Sequence, residues 1–463
     1  MIKNIIPLIL LTVSLQVVAQ DNSPLSRYGI GDLTPSQNII NRSMGGMSVA
    51  YSDYGIIGSP FSINISNPAA LGYLTNTKNF SNTIFDVGAE VDSRTLLSNK
   101  NSDIYVSNNL MMSYLQLAFP IATRKMEKRG MSWAVALGMR PISKINYKIE
   151  APSDTTYKSK FGTINTLYEG SGGLNQINLS TGFRKAGLGK MKNELSIGIS
   201  SGFSFGKKDI ATTRSITPNP KDSAYYYKSN QQSSTVYTGV FIDLGMQYEM
   251  HFNNAGTLRI GDVIKIQQNL QSKETQSNQT IGYSGYGEQA IIDSIHNVDD
   301  IQSNVVIPTM ISLGATYQTQ NKKWTVGADF EYTNWKAYQN NNPTDSVNNN
   351  WTLRVGAEYY PAKGSAVNKN YLSFIKYRAG FYYGPNYVTT GGTRYDYALT
   401  GGFSFPLTTP RIIQSRGDYV TLNTSFEIGA RGNKQSTGLR ENYMRFAIGV
   451  SMNARWFQKR NYD

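Results

Sequence analysis

The sequence predicts an all-β fold: a transmembrane antiparallel β-barrel of 14 strands with an N-terminal luminal hatch, or plug. Three observations carry this expectation. Apolar residues alternate with small or polar ones at period two along most of the chain. The alternating segments run to about ten residues, which suits the roughly 9–11 residues that a tilted strand needs to cross a bilayer. The connections between them alternate in character, mostly long and polar at one end and mostly shorter at the other, as the two sides of an outer-membrane barrel require.

The chain opens MIKNIIPLILLTVSLQVVAQ. Lys3, an apolar run from Ile5 to Val18, and the small or neutral end Val18-Ala19-Gln20 form the layout of a secretory signal peptide over residues 1–20. A single anchor helix is the competing reading, but the run is short for a bilayer and is interrupted by Thr12, Ser14 and Gln16. With no Cys among 463 residues, neither a lipoprotein anchor nor a disulfide is available.

Composition agrees with a membrane barrel. Charged residues are 16% of the chain, below the roughly 25% of soluble domains, while aromatic residues are 12% with 31 Tyr. A barrel needs an apolar outer band with aromatic girdles and little surface charge. The net charge of +14 comes from Lys and Arg scattered through loops and turns. A phosphate-tracking groove would need them clustered, so nucleic acid is not an expected partner. Outer-membrane lipid and lipopolysaccharide are.

The strands justify themselves one by one. In SWAVALGM, Trp133, Val135, Leu137 and Met139 share one face, and Ser132, Ala134, Ala136 and Gly138 the other. In VFIDLGMQYEMHF, Val240, Ile242, Leu244, Met246, Tyr248, Met250 and Phe252 oppose Asp243, Gly245, Gln247, Glu249 and His251. WTVGADFEY and MRFAIGVSMNARW repeat the pattern. Fourteen candidates begin near residues 80, 109, 131, 172, 193, 235, 257, 306, 322, 350, 371, 395, 418 and 442. The polar stretches between them, including residues 271 to 304, read as long loops. Domain bounds follow: a signal peptide over 1–20, a hatch over 21–78, the barrel over 79–457 and a tail over 458–463. The hatch is expected inside because SINISNPAALGYL, residues 62 to 74, carries no charge, and a barrel this size must be filled.

Several motifs resemble the FadL family of outer-membrane transporters. They include the Pro-led strand, short turn and Trp-ended strand from Ile307 to Trp335, then WTLRVGAEYYP and YRAGFYYGPNY in the same order. RSMGGMSVAYSD (Arg42 to Asp53) and Asn67-Pro68-Ala69-Ala70-Leu71 are similar to that family's hatch. SPLSRYGIGDL resembles FadL-like proteins of the Bacteroidetes group. The resemblance implies that Gly45, Gly46, Asn67, Pro68, Ala69, Ala70 and Leu71 belong to the hatch, with Gly45 and Gly46 permitting close backbone approach to the wall. An ordinary turn before the first strand is the alternative for Asn67-Pro68.

The resemblance implies uptake of long-chain fatty acids or other hydrophobic compounds across the outer membrane, without chemistry and without a cofactor. The alternative is a non-transporting barrel that serves as a subunit of a larger outer-membrane complex, in barrel assembly or type IX secretion, where PorV also resembles FadL. A transporter predicts an apolar pocket beneath the loops and a strand kink facing the hatch; a scaffold predicts a filled lumen. Catalytic and metal residues are expected to be absent. The two His, His251 near a strand end and His296 in a polar loop, read as surface residues, and no HExxH or GxSxG motif occurs. Asp329 and Glu331 face the lumen and are expected to be neutralised by Arg184, Arg354 or Arg445.

Overall fold

In the computed structural model, the described residues are 23–53, 62–74, 83–99, 104–152, 162–218, 226–252, 255–283, 289–340, 345–362, 370–389, 391–409, 413 and 418–454. The expected signal peptide, the tail and the Trp456-Phe457 end lie outside them.

Fourteen barrel strands follow one another around a closed antiparallel sheet. They are β1 (Thr83–Ser98), β2 (Ile104–Pro120), β3 (Met131–Pro141 and Ser143–Pro152), β4 (Thr163–Leu188), β5 (Asn193–Thr217), β6 (Lys228–Phe252) and β7 (Gly256–Lys265 and Gln268–Tyr283). The remainder are β8 (Gln289–Ile307 and Met310–Gln318), β9 (Trp324–Thr333), β10 (Asn350–Tyr359), β11 (Lys376–Pro385), β12 (Tyr395–Pro406), β13 (Val420–Gly432) and β14 (Leu439–Ala454). The last strand closes on the first, from Leu439 against Ser98 to Ala454 against Thr83.

The two faces sort as the alternation requires. On β3, Trp133 and Leu137 are exposed while Ser132, Ala134 and Ala136 are buried; on β6, Val240, Ile242, Leu244 and Met246 point out and Asp243, Gln247 and Glu249 point in. The outward residues of all strands form an apolar belt, with aromatic pairs such as Trp324–Tyr359 and Phe426–Phe446 on it. No helix among the described residues is long and apolar enough to cross a membrane. A closed barrel with an apolar belt is the architecture of an outer-membrane protein.

One expectation is corrected. Much of what reads as long polar loop is strand: β4 to β8 continue far past the belt, and residues 271–283 of β7 pair antiparallel with residues 289–304 of β8. His296 accordingly sits on β8 opposite Asn278, not in a loop. These overhanging residues are rich in Ser, Thr, Gln, Asn and Asp, and no strict apolar alternation marks them as strand.

β3, β7 and β8 each break once, at Ile142, at Ile266-Gln267 and at Pro308-Thr309. Beyond the break, β3 leaves β2: the two pair only from Leu115 with Met139 to Pro120 with Ala134. The freed edge of β3 is taken by the N-terminal segment, where Asp32-Leu33 pairs with Lys144 and Ser143.

Leu137 lies mid-strand on the outer face. Leu137→Arg is expected to destabilise the folded barrel by about 2–4 kcal/mol, as a charge facing the hydrocarbon midplane does. Urea titration of tryptophan fluorescence in lipid vesicles checks this, with Ser132 as an inward control.

Candidate functional site

The N-terminal segment folds on itself before it meets the wall. Asn38 caps a short helix, Ile39–Arg42, by accepting from the Asn41 amide at 2.9 Å. Its Nδ2 donates to the Ile63 carbonyl at 2.8 Å. Asn64 Nδ2 donates to the carbonyls of Ser48 (2.7 Å) and Tyr51 (2.9 Å), and Asn67 Nδ2 to that of Val49 at 2.7 Å. Three asparagines thus bind the stretch 62–67 to the stretch 38–51.

Asn67-Pro68 opens a 3-10 turn, Pro68–Tyr73, in which Asn67 is the N-cap and accepts from the Ala69 amide at 3.0 Å. Proline at the first position supplies the required φ and has no N–H to leave unpaired. Ala69, Ala70 and Leu71 are buried. The turn rests on glycines of three adjacent strands. A Cβ on Gly182 (β4) would lie 2.6 Å from the Pro68 carbonyl oxygen, one on Gly198 (β5) 2.3 Å from the Pro68 carbonyl carbon, and one on Gly245 (β6) 2.1 Å from Asn67 Oδ1. Ser196 Oγ donates to the Ala69 carbonyl at 2.6 Å.

Gly45 and Gly46 lie on the opposite side of the lumen, with φ of +69° and +85°. The Gly45 amide donates to Thr400 Oγ1 at 2.7 Å, and a Cβ there would meet the Phe381 and Val355 carbonyls at 2.5 and 2.7 Å. A Cβ on Gly46 would meet Arg354. The amides of Ser48 and Val49 donate to Asp329 Oδ2 at 2.6 and 2.8 Å. Of the three arginines expected beside Asp329 and Glu331, only Arg354 is there, 3.2 Å from Glu331. Arg184 pairs with Glu194 and Arg445 with Glu427 instead.

Residues that sequence reasoning did not single out hold the segment hardest. Asp32 lies between Arg94 of β1 and Arg431 of β13, the latter at 2.7 Å. Arg42 pairs with Glu90 of β1 and is 3.6 Å from Glu427 of β13. Asp53 pairs with Lys376 of β11, and Tyr51 donates to Glu358 of β10 at 2.7 Å. Arg27, the other charge in residues 23–53, stacks on Tyr168 at 4.3 Å. The signal available in the sequence was that a nearly uncharged segment spends its few charges where the inner faces of strands carry the opposite sign. Burial alone would raise the Asp32 carboxyl, but Arg431, Arg94 and Arg445 outweigh it and hold the group well below the usual carboxylate range.

A cavity of about 280 Å³ remains between this segment and the three strand breaks. Charged side chains converge on it, among them Arg42, Arg140, Lys265, Glu331 and Arg354, along with Ile142, Ile266, Ile307 and Trp335. The apolar side chains nearer the overhang, Leu174, Leu270, Val305, Trp335, Tyr387 and Val388, pack on Ile30 of the segment and fill that end. At the rim where β5 begins and β6 ends, Glu194, Glu249 and His251 gather closely enough to hold a metal ion. Arg184 already lies 3.0 Å from Glu194 and Arg259 pairs with Glu249, so both carboxylates are neutralised without one. The same two guanidiniums flank the Tyr73 ring at 4.9 and 4.4 Å.

Asp32→Asn leaves two buried guanidiniums short of an anion and is expected to weaken docking of the segment by about 3–5 kcal/mol. Hydrogen exchange of residues 23–53 reads the loss. Because the folded carboxyl is depressed, Asp32's contribution is complete above the unfolded value of about 3.9 and is lost only as pH falls below it. The wild-type and Asn forms therefore differ equally at about pH 8 and pH 5 and converge only under strong acid. Gly198→Val drives a side chain into Pro68 and is expected to loosen residues 67–74 specifically, by about 1–3 kcal/mol, again by exchange.

Comparison with known proteins places these features. Among solved structures, the chain is similar to the CymD monoaromatic hydrocarbon channel, at 12% identity and a TM-score of 0.51 over 93% of this chain and 100% of that one. It is similar also to the toluene transporter TodX of Pseudomonas putida, at 15% identity and 0.51 over 92% and 100%. At such identities the likeness shows the fold, that of FadL-type barrels. No curated protein matches by sequence. A family model described as BamG matches residues 1–463, and the chain belongs to the BamG family.

Proposed function

We propose that this protein is a filled-lumen barrel that serves as an integral subunit of a larger outer-membrane assembly, of the barrel-assembly kind, and that residues 23–74 are its fixed plug. The observation that carries this reading is the set of buried ion pairs of Asp32, Arg42 and Asp53 with β1, β11 and β13, on one arc of the wall. Displacing the plug would break these pairs together, and although Arg94, Arg431 and Lys376 keep Asp92, Asp396 and Glu358 on the wall, Asp32, Arg42 and Asp53 would each lose a buried counter-charge. A conduit needs a plug that moves cheaply.

A second reading, uptake of a hydrophobic compound, is favoured by one specific feature. The wall is open where β3 parts from β2, beside the cavity, and the fold is the one found in hydrocarbon channels. The two readings separate in one experiment. Extraction from native membranes in mild detergent, followed by native mass spectrometry, is expected to yield the chain in a discrete complex with other outer-membrane proteins and without a stoichiometric hydrophobic ligand. A solitary chain carrying such a ligand would establish the channel instead.

A further inference from the structure

The overhanging hairpin leaves one sheet edge open. β7 is paired on both sides, with β6 and with β8, over its whole distal length. β8 is paired on one side only. Its outer neighbour, β9, meets it along Met310–Gln318, and the bridge between Val306 and Gln339 is the last contact on that side. From Gln289 to Val305, no backbone hydrogen bond reaches the outer edge among the described residues. At about 3.3 Å per residue the unpaired edge is on the order of 50 Å long.

Such an edge is a template for another strand, and natural proteins blunt it with Lys, Pro, bulges or a covering element. Here Gln289 to Val305 contains no Lys, Arg or Pro. Three register shifts interrupt its pairing with β7, at Asp299-Asp300, where Asp300 has φ of 58°, at Ile295 and at Ile292, yet none of them pairs or covers the outer edge. Beyond Val298, every residue from Ile291 to Asn297 is exposed, so both faces are uncovered. Three of them are isoleucines, with Ile295 at 73% exposure, Ile291 at 60% and Ile292 at 52%. The charges along the edge are Asp293, Asp299 and Asp300, all exposed, in a chain whose net charge is +14. Lys273, 3.9 Å from Asp300, offsets only one of them.

We infer that the outer edge of β8, from Gln289 to Val298, is a docking site for an extended segment of another protein, which adds a strand there and alternates apolar with basic residues. The inference rests on the subunit reading above and names the kind of partner contact. Main-chain hydrogen bonds supply the attachment, the isoleucines take the apolar side chains, and the aspartates select the charge. A second copy of this chain is disfavoured as the occupant, because strand-to-strand pairing would bring the same acidic residues into one another's vicinity.

The test uses the full chain in detergent and three fluorescent decapeptides. One alternates valine with lysine and threonine, the second has glutamate in place of lysine, and the third is the lysine peptide with every second amide N-methylated. The lysine peptide is expected to bind and to protect the amides of residues 289–298 from exchange. The glutamate peptide should bind about tenfold more weakly or not at all, and N-methylation should abolish binding. Asp293→Lys and Ile295→Lys, both at exposed positions, should weaken the lysine peptide while the barrel stays heat-modifiable. Equal binding of both charges, binding indifferent to N-methylation, or binding unchanged in either variant overturns the inference. Self-association of the chain through residues 289–298 would also overturn it. In native membranes, a complex that persists in the double variant overturns the edge assignment alone. A wild-type chain that purifies without partners overturns the subunit reading and the docking site together.

Discussion

The pairing of the last strand with the first is the interaction on which the rest of the molecule depends. A backbone amide or carbonyl facing hydrocarbon has no water to bond, so a sheet can cross a bilayer only if it has no edge there. The ladder from Leu439–Ser98 to Ala454–Thr83 removes that edge and turns fourteen strands into a wall. Closure then divides the side chains. Those pointing out must be apolar, and those pointing in enclose a space that must be filled by protein or water.

The N-terminal segment answers the second demand, and its chemistry is complementary to the wall at each point of contact. Where strands β4 to β6 present glycine, the segment presents its Asn67-Pro68 turn. Where β1 and β13 present carboxylates, it presents Arg42, and where they present Arg94 and Arg431 it presents Asp32. Where β9 presents Asp329, it presents two bare amides. The interior is therefore polar yet largely paired, and its ion pairs specify position more than they add stability, since solvated charges lose hydration on entering it.

Beyond the bilayer, closure is no longer required. β3 parts from β2 after Met139, and β8 loses its outer neighbour above Val306. The sheet thus continues past the belt as an open, two-edged platform carried by β3 to β8. On the β3 side this chain's own N-terminal segment pairs with Ser143 and Lys144, while on the β8 side no segment pairs from Gln289 to Val305 among the described residues. That asymmetry separates the membrane-embedded wall from the face available to other molecules.

The strand count and the outward face were legible because the bilayer imposes a strict period of two, and Trp133, Leu137, Ile242 and Phe330 each keep it. The membrane-facing half of the molecule was therefore written locally. The overhang was not legible, since Gln271 to Gly282 and Ile291 to Asn304 are mostly polar and keep no strict apolar alternation to declare them. Nor were the pairings of the lumen. The charges of Asp32, Arg42 and Asp53 were visible, but their partners lie tens to hundreds of residues away, and which inner faces meet them depends on the curvature of the closed sheet. The sequence by itself determined that the chain must form a barrel, because each strand's alternation is a local property answered by the bilayer. Only the tertiary structure decided which charges meet inside it and which strand edge stays open, because both follow from long-range closure.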